Sequence, residues 1–280
     1  MELMGKKNRH NFKLVGTLGV LTFFCQTSLA SLDLVLVDTQ FCPSIIQKIK
    51  KPNLSILPPR YFSGRSKRKC DLKKLDHIRY HGQRVLELFL NQTQFKTPTT
   101  LHLWSPYHHD GKQSLKSWKT IIKELKKMGP DMVFGASTLP LKKPIQYSFS
   151  IEAPWFLPTG NKSGLIKDSS FLFPSHSKVR NIFPVGGLHW EKDEKGKLDD
   201  FHLDQTNLRP HMIKFYQSSG TSVHKLRGTS RAATLASAAF FRMCQLELAK
   251  QTWAKCLKNR TRNIKSSDGI EVSSLGLPTL

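Results

Sequence analysis

The run Leu32-Asp-Leu-Val-Leu-Val37 is the strongest constraint on how this chain folds. Apolar residues at nearly every position, rather than at every second one, describe a strand covered on both faces. Such strands belong to parallel sheets whose crossovers lay helices over each side. Asp38 and Thr39 follow at once, so the strand ends in a carboxylate. Gly82 to Leu90 reads as a short helix with Val85, Leu86, Phe89 and Leu90 on its apolar side, which sets His81 at its start. Leu101 to Trp104 reads as a strand. Ser114 to Met128 then places Leu115, Trp118, Ile121, Ile122, Leu125 and Met128 at helical spacing, with lysines on the other face and Gly129-Pro130 as the stop. Met132 to Phe134, Trp155 to Leu157 and Ile182 to Val185 are further strands, and Ser230 to about Leu248 is a long helix rich in Ala and Leu. Strands alternating with helices predict an α/β fold: a doubly wound, mostly parallel central sheet with helices on both faces. Residues 51–70, rich in Pro, Arg, Lys and Ser, read as an exposed insertion, residues 189–200 as a charged loop, and the segment after Lys258 as a flexible tail.

Ligand crevices in such sheets open beyond the carboxyl ends of the strands. Arg227-Gly-Thr-Ser-Arg-Ala-Ala-Thr234 is a small-residue turn leading into the last helix, and it puts Ser230 at that helix's positive end. A serine hydroxyl needs a base within hydrogen-bond reach before it can attack a carbonyl, and the base needs an orienting group. Asp38, His81 and Ser230, in that order, supply the three types.

On these residues the chain resembles the subtilisin-like serine proteases, the subtilase family. The resemblance is carried by Asp38 in Val-Leu-Val-Asp-Thr, His81 in His-Gly-Gln-Arg-Val85, Asn161 in Pro-Thr-Gly-Asn161 and Ser230 in Gly-Thr-Ser-Arg-Ala-Ala, and it spans about residues 32–250. It implies an endopeptidase working through an acyl-enzyme, with Asp38, His81 and Ser230 catalytic and Asn161 in the oxyanion hole. It also implies that an extended substrate pairs along Ala136, Ser137, Thr138 and Leu139, with Leu157 and Thr159 lining the side-chain pocket. Phe183-Pro-Val-Gly-Gly187 is similar to the strand that follows the oxyanion asparagine. Three positions depart from the family pattern: Gln40 stands where Gly is usual, Arg84 where a second His is usual, and Thr234 where Pro closes the serine motif. None of the three is a catalytic group.

Lys6, Lys7, Arg9 and Lys13, the apolar stretch Leu14 to Cys25 and Ser28-Leu29-Ala30 have the layout of a secretory signal over residues 1–30. The peptidase domain is then expected over residues 31–258 and the tail over residues 259–280. Cleavage after Ala30 would leave no room for a propeptide before Asp38. Export, to the medium or the periplasm, suits the cysteines: Cys42, Cys70, Cys244 and Cys256 permit two disulfides, and Cys42 with Cys70 and Cys244 with Cys256 is the favoured pairing. No zinc-ligand spacing occurs, His108 and His109 beside Asp110 read as a solvated loop, and no cofactor or metal is expected. The net charge of +24 is extreme, with basic clusters at Lys48 to Lys51, Arg60 to Lys74, Lys112 to Lys127 and Lys250 to Lys265. Such a field attracts polyanionic surfaces. It supports an alternative, a catalytically inactive subtilisin-like domain that binds envelope polymers or proteins. Polypeptides are the expected substrates, and the chain is expected to act as a monomer without a membrane span.

Overall fold

The computed structural model describes residues 31–63, 70, 80–107, 114–135, 151–160, 181–192, 194, 198–204, 215–219 and 226–275. The first strand, β1 (Leu32–Val37), lies inside the sheet, flanked on one side by β4 (Thr99–Ser105) and on the other by β5 (Met132–Phe134), both parallel to it. Its doubly apolar sequence is explained by this position. Leu34 and Leu36 face one core layer, while Val35 and Val37 face the other. Beyond β5 come β6 (Trp155–Pro158), β7 (Ile182–Lys192) and β9 (Phe215–Ser218), again parallel. The described sheet has eleven strands, and its antiparallel pairs are confined to two hairpins.

Helices α2 (His81–Asn91) and α4 (Gly228–Ala249) share one face, and α3 (Leu115–Met128) covers the other. Phe89 of α2 stacks on Phe134 of β5 at 4.2 Å between centroids and meets Phe241 of α4 at 6.0 Å, so one aromatic cluster fixes both helices to the sheet. Helix α3 starts at Ser114, whose hydroxyl accepts from the Ser117 amide, and stops at Gly129. The chain passes from β4 through α3 to β5 and thereby crosses β1 from one side to the other. The strand order therefore reverses at β1, and the residue that follows β1 is Asp38.

Three segments differ from the sequence expectation. In residues 51–70, β2 (Leu54–Ile56) and β3 (Arg60–Tyr61) pair with β4 at the sheet edge, where Pro52, Pro58 and Pro59 beside them break no ladder. Within residues 189–200, β7 continues to Lys192 and pairs antiparallel with β8 (Leu198–Leu203), with Trp190 edge-on to Phe201 at 5.3 Å. Charged residues within these strands, such as Glu191 and Asp200, hide the strand pattern. Past Lys258, helix α5 (Trp253–Arg260) leads into β10 (Thr261–Lys265) and β11 (Glu271–Leu275), and β11 docks parallel to β9. Val272 and Leu275 are buried, and the buried Gln217 side chain donates to the Leu275 carbonyl at 2.5 Å. The only other helix described, α1 (Pro43–Ile46), is a single turn after Cys42. Both expected disulfides, Cys42 with Cys70 and Cys244 with Cys256, are formed.

Two outcomes follow from this packing. Ending the chain after Lys258 removes two buried apolar side chains worth roughly 1.5–3 kcal/mol each and is expected to lower Tm by about 10 °C, read by calorimetry; a flexible tail would leave Tm unchanged. Gly135, just past β5, has no room for a side chain, because a Cβ there would overlap the Val37 carbonyl. Gly135→Ala is expected to cost about 3 kcal/mol, measured as a lower urea midpoint.

Candidate active site

Asp38 continues the β1 ladder by one bond, its amide donating to the Trp104 carbonyl at 3.0 Å, and its side chain is wholly buried. A carboxylate without solvent needs donors. One is the Thr39 amide, 2.6 Å from Oδ1, and another is the His81 ring, whose Nδ1 lies 2.8 Å from the same oxygen. An ionised carboxylate only accepts, so Nδ1 carries the proton and donates it, which makes Nε2 the basic nitrogen of the neutral ring. The His81 side chain keeps 10% of its surface exposed against none for Asp38, so the imidazole stands between a buried acid and the outside.

The position of His81 is set by the segment that follows β1. Helix α2 has no side-chain cap of its own; the Gly82 amide donates instead to the Thr39 hydroxyl at 2.7 Å. Gly82 is small for a steric reason, since a Cβ there would sit 3.0 Å from the Phe41 ring and 3.1 Å from the Asp38 Cβ. Gln83 completes the clamp: its Oε1 accepts from the Cys42 amide at 3.0 Å, and its Nε2 donates to Glu87 at 2.9 Å. Thr39 and Gln83 were not singled out from sequence. The adjacent pair Asp38-Thr39 is the signal for the first, and nothing local marks the second.

Ser230 lies in the first turn of α4, which packs against α2 and on β6, β7 and β9. Its neighbours bind that turn to the strand ends. The Gly228 amide donates to the Ser219 carbonyl at 2.8 Å, and the wholly buried Thr229 accepts on Oγ1 from the Gly160 amide at 3.1 Å. The residue before Ser230 is thus joined to the residue before Asn161. Arg231 donates from Nη1 to the Ser218 hydroxyl at 2.7 Å. Thr234, where the family carries Pro, donates its hydroxyl to the Ser230 carbonyl at 2.8 Å and leaves the helix uninterrupted.

Among the other expected site residues, Leu157 and Thr159 are buried at the end of β6. Asn161, Ala136, Ser137, Thr138 and Leu139 lie outside the described residues, as do His108, His109 and Asp110. The three departures have visible settings: Gln40 is buried, Arg84 is half-buried on α2, and Thr234 is buried on α4. No helix among the described residues is long and apolar enough to cross a membrane.

No protein-family model and no curated protein sequence matches this chain. Solved structures do. One is a chain from the structural basis of subtilase cytotoxin SubAB assembly, 12% identical, with a TM-score of 0.58 over 89% of this chain and 90% of that chain. Another is Pseudomonas sedolisin, a serine-carboxyl proteinase, complexed with two molecules of pseudo-iodotyrostatin; it is 9% identical, with a TM-score of 0.52 over 84% of this chain and 83% of that one. At such identities the likeness is one of fold, and the fold of this chain is the subtilisin-like α/β fold.

Proposed function

We propose that this chain is an exported serine endopeptidase that hydrolyses peptide bonds through an acyl-enzyme. The observation that carries the reading is the 2.8 Å bond between His81 Nδ1 and the wholly buried Asp38, placed where the strand order reverses. In an open α/β sheet that is where a ligand crevice forms.

His81 Nε2 takes the Ser230 hydroxyl proton as Oγ attacks the substrate carbonyl, and Asp38 stabilises the resulting imidazolium without itself accepting the proton. The oxyanion is held by the Asn161 amide and the Ser230 backbone N–H, as the family resemblance implies; losing one such donor costs about 100-fold to 1000-fold in rate. Collapse of the tetrahedral intermediate breaks the C–N bond, and His81 gives its proton to the departing amine. Water then repeats the sequence against the ester, regenerating Ser230 and releasing the new carboxylate. An extended substrate pairs along Ala136 to Leu139, with Leu157 and Thr159 at its side-chain pocket, so that main-chain bonds give affinity and pocket shape gives selectivity. No metal or cofactor enters these steps. Two disulfides support an oxidising destination, in the medium or the periplasm, for a domain that begins near residue 31 and includes the β10–β11 hairpin.

One observation favours the second reading, an inactive domain that binds a polyanion. Lys116, Lys119, Lys123, Lys126 and Lys127 are exposed on α3, where the one carboxylate, Glu124, pairs with Arg60 at 3.1 Å.

A fluorophosphonate probe separates the two. It is expected to label the native chain at Ser230, to fail on Ser230→Ala, and to react about 10⁴-fold more slowly with His81→Ala and Asp38→Asn. An unlabelled native chain that binds anionic polymer in a salt-sensitive way would establish the second reading.

A further inference from the structure

Arg231 is half-buried immediately after Ser230. Its Nη1 donates to Ser218, the last residue of β9. Its Nε is buried with no hydrogen-bond partner. Among the described residues no carboxylate pairs with it, whereas Arg60 has Glu124. Burial alone pulls the guanidinium pKa below its ordinary value. A guanidinium presents five donors in a planar fork suited to a carboxylate, and one neutral hydroxyl satisfies little of it. Removing such a cation from water without a counter-charge is costly.

The surroundings fix this cation beside Ser230. Thr229 is bonded toward β6 and Arg231 toward β9, so the side chains flanking Ser230 are anchored at the ends of two strands on either side of β7. The helix dipole at that end is positive and adds to the attraction for an anion.

We propose that Arg231 is a specificity-determining residue that receives the side-chain carboxylate of a Glu or Asp of a polypeptide lying next to the bond presented to Ser230. This rests on the reading of the crevice as a peptide site and adds to it a substrate class, acidic polypeptides.

The test is made on the Ser230→Ala chain, so that peptide is not consumed. Alanine-rich octapeptides, acetylated and amidated to remove terminal charges, carry one Glu or one Gln walked through the four central positions, and affinities are read by calorimetry. At one position Glu is expected to bind about 10-fold more tightly than Gln, the scale of one charge-assisted hydrogen bond. Adding Arg231→Met is expected to bring that ratio to about 1, Arg231→Lys to leave an intermediate value, and Lys119→Met, an equal loss of charge on α3, to leave it unchanged. A ratio near 1 throughout, a ratio that survives Arg231→Met, an equal fall with Lys119→Met, or no peptide binding at all would each overturn the assignment. Fluorophosphonate labelling of the native chain is read separately. A labelled chain with a flat Glu-to-Gln ratio retains the hydrolase and loses the acid subsite, whereas a clear ratio without labelling retains the subsite and loses the hydrolase.

Discussion

A carboxylate with no solvent contact at the end of a central strand governs this structure. Burying Asp38 without partners would cost several kcal/mol, enough to remove much of the stability of an ordinary domain. The fold surrounds it with donors drawn from two segments, the Thr39 amide just past β1 and the His81 ring on α2. Other local features follow from bringing those segments so close. Gly82 leaves space for the Asp38 Cβ and the Phe41 ring, Thr39 caps the helix that carries His81, and Gln83 binds that helix to Cys42. Cys42 is in turn joined to Cys70, so the loop that leaves the Asp38 strand is covalently restrained. A change meant to alter His81 alone therefore also changes the solvation of a buried acid, and folding and chemistry share the same bonds at this position.

The elements legible in the sequence were those whose pattern matches a single environment. β1 is apolar on both faces because it has a core layer on each side, and α3 shows its helical period because one stripe meets Val35, Val37 and Trp155 while lysines fill the rest. The hairpins were illegible for the opposite reason. β8 and β10 mix charged and apolar residues at the sheet periphery, where one face is wet and the pairing partner, rather than the strand's own sequence, decides the conformation. The same distinction applies to the site. Asp38, His81 and Ser230 stand at element ends and are marked by their neighbours, whereas Thr39, Gln83 and Arg231 act through partners 43, 41 and 13 residues away. Short motifs do not encode such distances.

The extreme charge has to be resolved by location before it bears on the chemistry. The lysines of α3 belong to the layer opposite α2 and α4, with the whole sheet between them and the Asp38–His81 pair. Exposed charges are screened over about 8 Å at physiological ionic strength. That stripe can therefore raise the local concentration of an anionic partner and still contribute little to orientation at the strand ends. Arg231 is the reverse case: one charge, partly removed from solvent and fixed by Ser218 at the end of β9. Its contribution depends on contact more than on field, so added salt should weaken capture by α3 far more than discrimination beside Ser230. General attraction to anions and selective reading of an acidic side chain are therefore separable properties of the same basic chain, located on opposite faces of its sheet.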